Sequence, residues 1–390
     1  MNQRQLKNPH FALFIFCFLF SIAFLAFSVF NAAKAHRTYA SAPTTSAESM
    51  AVLEVSTRRV LYQKDMHRRG EPASTTKILT AITVIENTPD LDAVRTVPDA
   101  AVGVEGSSIY LAHGEKLSVR DLLYGLMLQS GNDCAEALAI LTCGSKEKFA
   151  EKMNETARKI GAKSSNFVTP HGLDAPEHYT TAYDLALISA YALTNRDFQE
   201  IVRTKKHSAP WAGHDYNRVI VNKNKLLNSF EGCDGVKTGF TKRAGRCYVG
   251  SATREGMQVV CSVLNCGPMF EDSAALMESA FSEFKMTEVV KKGEPLARLP
   301  ILEGKKEFVN LGAGGTVRYP LREGELEKLH FNARCVVPLK APVAIGKESG
   351  EIQVILQNDL LFSTPLYTIE SAESLSLCDR LRDIANQWTA

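Results

Sequence analysis

Pro72-Ala-Ser-Thr-Thr-Lys77 runs directly into Ile78-Leu-Thr-Ala-Ile-Thr-Val-Ile85, with no further charge until Glu86. From Ser74 to about Glu86 the apolar positions Ile78, Leu79, Ala81, Ile82, Val84 and Ile85 go nearly all the way round, so this helix is expected at the centre of a domain. A lysine at the head of a buried helix requires a reason. At i and i+3 on the first turn, Ser74 and Lys77 face the same side, and the amine can reach the hydroxyl. Serine is a poor nucleophile without a neighbouring base. Burial and nearby cations can lower a lysine pKa until it takes the proton. The helix start adds unpaired N–H groups and a dipole that favours developing negative charge. Spacing alone is weak, because Ser145–Lys148 and Ser282–Lys285 repeat it, and both are expected on solvated helix faces.

Outward from that helix, strands flank helices. Ala51–Val55 and Val60–Gln63, joined by Ser56-Thr57-Arg58-Arg59, read as a hairpin. Residues 118–195 are mainly helical: Ser118-Val-Arg-Asp121 resembles a capping box ahead of a helix through Leu128. Further helices are expected near Cys134–Leu141, Lys146–Ile160 and Ala182–Leu193. Strand patterns return at Gly235–Phe240, Cys247–Ala252 and Met257–Leu264. Strands at both ends of a helical middle predict an α+β domain whose terminal strands share one antiparallel sheet of about five strands. After about Lys285, Pro and Gly punctuate short β-like runs at Phe308–Leu311, Thr316–Tyr319, Ala333–Leu339, Ile352–Leu356 and Leu361–Ile369, which read as a small all-β domain. Leu377, Leu381, Ile384, Ala385 and Trp388 are spaced as one face of a final short helix.

Two more short motifs could meet Ser74. Ser130-Gly131-Asn132 lies between two predicted helices, where a loop can present a hydroxyl and an amide into a cleft. The plain alternative is a helix–helix turn with Asn132 or Asp133 as N-cap, and Ser164-Ser165-Asn166 has the same spacing. Lys237-Thr238-Gly239 lies inside the strand Val236–Phe240. Glycine in a strand often marks close approach of another backbone, and the lysine and threonine beside it offer a cation and a hydroxyl to a carboxylate. The plain alternative is an edge strand with a solubilising lysine.

The chain's start indicates its compartment. Arg4 and Lys7 precede an apolar run from Phe11 to Phe30, and Ala33-Lys34-Ala35 forms an A-x-A site, so residues 1–35 read as an export signal. An uncleaved anchor is the alternative, since such a run could also span a bilayer. Residues 36–48 are a short linker. Without Arg4, Lys7 and Lys34 the remainder carries 42 basic against 43 acidic residues, scattered along the chain, which excludes a nucleic-acid surface. Nine cysteines show no C-x-x-C spacing; Cys134, Cys247 and Cys261 sit in apolar patterns and are expected as buried thiols. None of the histidines falls in a metal-binding motif.

S-x-x-K, then S-x-N, then K-T-G is the signature set of penicillin-binding proteins and class A β-lactamases. Beyond the triplets, Pro72-Ala-Ser-Thr-Thr-Lys77, His171-Gly-Leu-Asp-Ala-Pro176 with Tyr183-Asp184, and Asp234-Gly-Val-Lys-Thr-Gly-Phe-Thr241 resemble the low-molecular-mass D-alanyl-D-alanine carboxypeptidases. Pro338-Leu-Lys-Ala-Pro342 and Gly350-Glu-Ile-Gln-Val354 are similar to that family's C-terminal β domain. The resemblance covers residues 46–370 and implies a β-lactamase/transpeptidase-like catalytic domain at 49–285, a β domain at 286–372 and a terminal amphipathic helix at 373–390.

By that resemblance Ser74 is the acyl nucleophile, Lys77 its base and Ser130 a proton relay to the leaving amine. Asn132 would bind the substrate amide, Lys237, Thr238 and Gly239 would hold the terminal carboxylate and strand, and the N–H groups of Ser74 and Phe240 would form the oxyanion hole. The implied substrate is a peptidoglycan stem peptide ending in D-Ala-D-Ala, with β-lactams as inhibitors, no cofactor and no metal. The implied place is outside the cytoplasm, in the wall or at the outer face of the membrane, with peripheral membrane contact through the last helix. A basic residue that relatives carry after the last sheet strands is replaced by Gly267-Pro-Met-Phe-Glu-Asp272, which leaves Arg243 or Arg246 as substitutes. His171 is read as a loop-structuring histidine. Rivals on the same nucleophile are a transpeptidase and a β-lactamase, although His171-Gly-Leu-Asp174 offers no deacylating glutamate. A non-catalytic wall-binding protein would not need all three motifs intact.

Overall fold

The structure, a computed structural model, describes residues 42–335 and 338–388. The expected export signal and the first part of the linker lie outside them, as do the side chains of Ile384, Ala385 and Trp388. Among the described residues no helix is long and apolar enough to cross a membrane.

The chain divides into two compact units: Tyr39–Val289 with Val317–Leu326, and Val290–Thr316 with the chain from Glu327 onward. Residues 317–326, which the sequence pattern groups with the β domain, therefore cluster with the first unit. The strand Val317–Arg322 pairs with Phe284–Val290. Just beyond it the Arg59 guanidinium reaches Glu325 at 2.9 Å and also bonds the Pro320 carbonyl.

In the first unit, β1 (Ser49–Glu54), β2 (Val60–Lys64), β3 (Cys233–Thr241), β4 (Gly245–Arg254) and β5 (Met257–Leu264) form one sheet ordered β2-β1-β5-β4-β3. The expected antiparallel sheet of five strands is the observed one, and Ser49 pairs with Leu264 across its middle. Both faces are covered, which explains strands that are apolar throughout. Ala51, Leu53, Val249 and Val260 face the main helical core, while Met50, Val52, Tyr248, Val259 and Cys261 face a smaller core under Met269–Glu283.

Six helices matter on the main side: α1 (Lys77–Asn87), α2 (Val119–Tyr124), α3 (Asn132–Cys143), α4 (Lys146–Ile160), α5 (Ala182–Ala192) and α6 (Arg196–Arg203). As its pattern requires, α1 is buried from Lys77 to Ile85. The capping box at Ser118 and Asp121 is present. The helix it starts does not run unbroken to Leu128: after Tyr124 it widens into a π turn, Gly125–Gln129, which ends at Ser130 in the left-handed region (φ 65°). Such a turn is a local device found frequently at functional sites.

The second unit holds a six-stranded sheet, with β6 (Ala297–Leu302), β7 (Phe308–Ala313), β8 (Leu329–Cys335), β9 (Leu339–Lys340), β10 (Glu348–Leu356) and β11 (Asp359–Thr368) ordered β8-β10-β11-β7-β6-β9. Its core is small, around Leu299, Val309, Leu311, Ile352 and Leu366. The terminal helix, Leu377–Trp388, follows Ser376, whose hydroxyl and Asp379 cap one another.

Candidate active site

Ser74 sits in a short 3-10 turn, Ala73–Thr76, that feeds α1. Ala73 precedes it at φ 48°, an unfavourable conformation for a residue with a Cβ. Gly172 occupies the space beside that bend: a Cβ there would lie 1.9 Å from the Ala73 carbonyl oxygen. The turn that carries Ser74 is thus braced by the segment that carries His171.

Lys77 is fully buried, and its amine meets three oxygens: Ser74 Oγ at 3.0 Å, Asn132 Oδ1 at 2.7 Å and the His171 carbonyl at 2.7 Å. Burial, and next the charge of Lys237, hold the amine well below the usual lysine range. The Asn132 amide cannot be turned round, because its Nδ2 donates to the Glu105 carbonyl at 2.6 Å. Its main-chain N–H donates to Ser107 O. Neither Asn132 nor Asp133 caps α3; Gly131 takes the N-cap position without a side-chain bond. Asp133 instead accepts from Ser108 Oγ at 2.6 Å and from the N–H groups of Ile109 and Leu111, fastening the 105–111 loop over Asn132.

Lys237 is 1% exposed, and its amine donates to the Thr238 carbonyl at 3.0 Å. Burial, with the charge of Lys223 second, draws it down to about 7. Lys223 itself donates to Ser107 Oγ at 3.3 Å. β3 is the last strand of its sheet, so one edge is free for a peptide. Gly239 lies where β3 crosses the Ser74 turn: a Cβ would stand 3.0 Å from the main-chain nitrogens of Ser74 and Thr75. This is the close approach expected of a glycine inside a strand. Thr238 is half-buried, and the Phe240 ring is 64% exposed.

Three motifs therefore converge unevenly. Ser74, Lys77 and Asn132 are joined by hydrogen bonds, and Gly239 adjoins Ser74. Lys237 is coupled to Lys77 through charge. Ser130 is buried two residues from Asn132, but its hydroxyl forms no hydrogen bond within the described residues. The decoys go elsewhere: Ser145 Oγ accepts from its own Lys148 N–H as a helix cap, Ser282 Oγ donates to Ser279 O, and Ser165 Oγ donates to Asp184. Of the two arginines considered for the carboxylate, Arg243 pairs with Glu71 at 2.6 Å and Arg246 reaches Gly267 O at 3.4 Å.

Several functional contacts escaped the sequence reading. His171 contributes its carbonyl, a main-chain group with no signature. The Asp174 carboxylate accepts from Thr241 at the end of β3. His178, held neutral by burial with a pKa near 4, sits 2.9 Å from Thr76 Oγ1 and accepts from Val168 N–H. All eight described cysteines are free thiols; Cys134, Cys247 and Cys261 are buried, and burial pushes the last two up to about 12. Among the described residues no group of three or more His, Cys, Asp or Glu could hold a metal ion.

The chain matches two family profiles in tandem: D-alanyl-D-alanine carboxypeptidase over residues 36–267, and penicillin-binding protein 5, C-terminal domain, over 284–374. It is 29% identical over 380 residues to D-alanyl-D-alanine carboxypeptidase DacF of Bacillus subtilis, covering 95% of this chain and 97% of that one. It is 30% identical over 368 residues to DacC of Escherichia coli, covering 89% and 90%. Among solved structures, penicillin binding protein 5 from Haemophilus influenzae superposes with a TM-score of 0.73 at 26% identity, over 86% of this chain and all (100%) of the other.

Proposed function

The chain belongs to the D-alanyl-D-alanine carboxypeptidase family, and from that premise we propose the roles of its residues in removing the terminal D-alanine from peptidoglycan stem peptides. It is a serine peptidase acting through an acyl-enzyme and inhibited by β-lactams; the assignment of that acyl-enzyme to Ser74 rests on one arrangement. A neutral amine has two hydrogens and one lone pair. Asn132 Oδ1 and the His171 carbonyl can only accept, so they take both hydrogens of Lys77. The lone pair is left facing Ser74 Oγ at 3.0 Å, poised to take the hydroxyl proton.

Ser74 then attacks the carbonyl between the two D-alanines. The N–H groups of Ser74 and Phe240 receive the tetrahedral oxygen, at the start of a helix and beside a glycine that lets the strand come close. Ser130 relays a proton to the leaving amine, its hydroxyl being uncommitted. Asn132 faces the substrate amide as well as Lys77, while Lys237 and Thr238 hold the terminal carboxylate. The substrate backbone lies along the free edge of β3, and water releases the acyl-enzyme. Transpeptidation would differ only in the acceptor that attacks this ester.

The domain assignment follows the same reading: an exported enzyme with the catalytic domain at 49–285, the β domain at 286–372 and a terminal helix. Arg4, Lys7, the Phe11–Phe30 run and Ala33-Lys34-Ala35 support export and work outside the cytoplasm. Leu377 and Leu381, 74% and 57% exposed, support peripheral membrane contact by the last helix.

Mass spectrometry of the penicillin-treated protein tests the proposal. One adduct mapped to Ser74, absent from Ser74→Ala, together with D-alanine release from a D-Ala-D-Ala peptide, is the expected result. An adduct that persists in Ser74→Ala overturns the assignment.

A further inference from the structure

A buried carboxylate stands behind the catalytic amine with no part in the chemistry above. Glu136, on the second turn of α3, is 3% exposed; its Oε1 lies 3.2 Å from His171 Nε2 and 3.4 Å from Lys146 Nζ at the start of α4. Its other oxygen, Oε2, is buried with no hydrogen-bond partner. Burying a carboxylate on one helix with an oxygen unpaired is costly. The His171 ring is also nearly enclosed, 8% exposed.

The ring's chemistry is fixed by its two nitrogens. Nδ1 accepts the Leu173 N–H at 3.1 Å, so it carries no hydrogen. The hydrogen of the imidazole is therefore on Nε2, facing Glu136. With both nitrogens committed, His171 cannot act as a general base toward substrate or water. What it does offer the reaction is its main-chain carbonyl, 2.7 Å from Lys77 Nζ. The segment around it is pinned at other points by Thr80 Oγ1 on Pro170 O at 2.6 Å and by Thr169 Oγ1 on Gly172 N. The ring itself is held between the Leu173 N–H on Nδ1 and Glu136 beside Nε2, and Glu136 is the side chain that meets it from another element.

We infer that Glu136 is a positioning residue for the reaction: it holds the His171 ring, and through it the carbonyl that orients the lone pair of Lys77 onto Ser74. This rests on the reading of Lys77 as the base. The carboxylate acts through the closeness of Oε1 to the ring, 3.2 Å from Nε2, so a glutamine, which keeps an oxygen there, preserves the effect, and an apolar side chain does not.

The test is stopped-flow acylation by penicillin of the full chain, resolving the limiting acylation rate from the binding constant of the complex that precedes it. Glu136→Leu is expected to lower the limiting rate about tenfold with the binding constant unchanged, a typical cost of misplacing a reacting group. Glu136→Gln is expected within about twofold of the parent. Thermal melts accompany each variant, and Glu136→Ala is used if the leucine variant does not fold. A parental limiting rate in the apolar variant overturns the inference, as does a glutamine variant as slow as the apolar one. An adduct on Ser74 in the parent protein keeps those failures separate from failure of the underlying assignment, which an adduct elsewhere would signal.

Discussion

The Thr241 hydroxyl donates to the Asp174 carboxylate at 2.8 Å, joining the end of β3 to the loop that carries His171. The same hydroxyl accepts from the Ala244 N–H at 3.0 Å and so also closes the β3–β4 turn. Asp174 is exposed, and a single exposed hydrogen bond stabilises little, about 1 kcal/mol or less. Asp174→Ala should leave the melting temperature nearly unchanged. It should still slow D-alanine release, about threefold or more, by freeing the loop from the strand. Steady-state kinetics beside a thermal melt check this; equal loss of stability and activity would show the tie to be merely structural.

Asn132→Asp replaces a neutral acceptor 2.7 Å from Lys77 Nζ with a charged one. An opposite charge at that range raises an amine pKa by about 1–3 units. Burial, and next the charge of Lys237, hold the Lys77 amine well below the usual lysine range in the native protein, in the direction the proposed base requires. Acylation requires that neutral form, so its rate is present above the Lys77 pKa and lost as pH falls through it. The aspartate variant should move this limb toward higher pH and acylate slowly at neutral pH, recovering as pH rises. A pH profile of penicillin acylation with an unmoved limb would contradict the base assignment.

Lys237 is buried with its pKa drawn down to about 7. Its value in the unfolded chain is about 10.4. Between those values the unfolded chain binds more protons than the native one, so this group makes stability rise with pH from about 7 to 10.4. Below about 7 the penalty for burying the ammonium is complete. Lys237→Met should therefore raise stability at pH 7, by roughly 1–3 kcal/mol, while removing most activity. The gain should vanish near pH 10. Urea melts at the two pH values measure the difference, and a gain that does not shrink with pH would have another cause.

Gly239→Ala introduces a Cβ 3.0 Å from two main-chain nitrogens and 3.1 Å from the Pro72 carbonyl oxygen. Backbone cannot yield as a side-chain tip can, so β3 and the Ser74 turn must separate. A loss of about 1–3 kcal/mol in stability and of ten- to a hundredfold in acylation rate is expected. Chemical denaturation and penicillin acylation test both parts together.

The fold was largely legible because its long elements carry strong periodicity. The α1 pattern, apolar nearly all round, placed it centrally, and strand runs at both ends of a helical stretch gave the sheet. The convergence of Ser74, Lys77 and Gly239 was legible because each position needs a particular side chain, or none. What the pattern could not carry was main-chain work. The π turn that delivers Ser130, the left-handed bends at Ala73 and Ser130, and the carbonyls of Glu105 and His171 depend on tertiary closure. The place of Glu136 was not legible because its partner lies on a distant loop. The pairing of Val317–Arg322 with Phe284–Val290 was hidden for the same reason: both runs look like members of the later β domain.

The pairing of Ser49 with Leu264 governs when this molecule can form. β1 is an inner strand, and one of its two neighbours is the last strand of its sheet to leave the ribosome. A nascent chain that ends before Met257 holds the β1–β2 and β3–β4 hairpins without the strand that joins them. Such late, long-range closure gives high contact order and slow folding. A polypeptide built this way closes its sheet only late in synthesis, which suits the export proposed above.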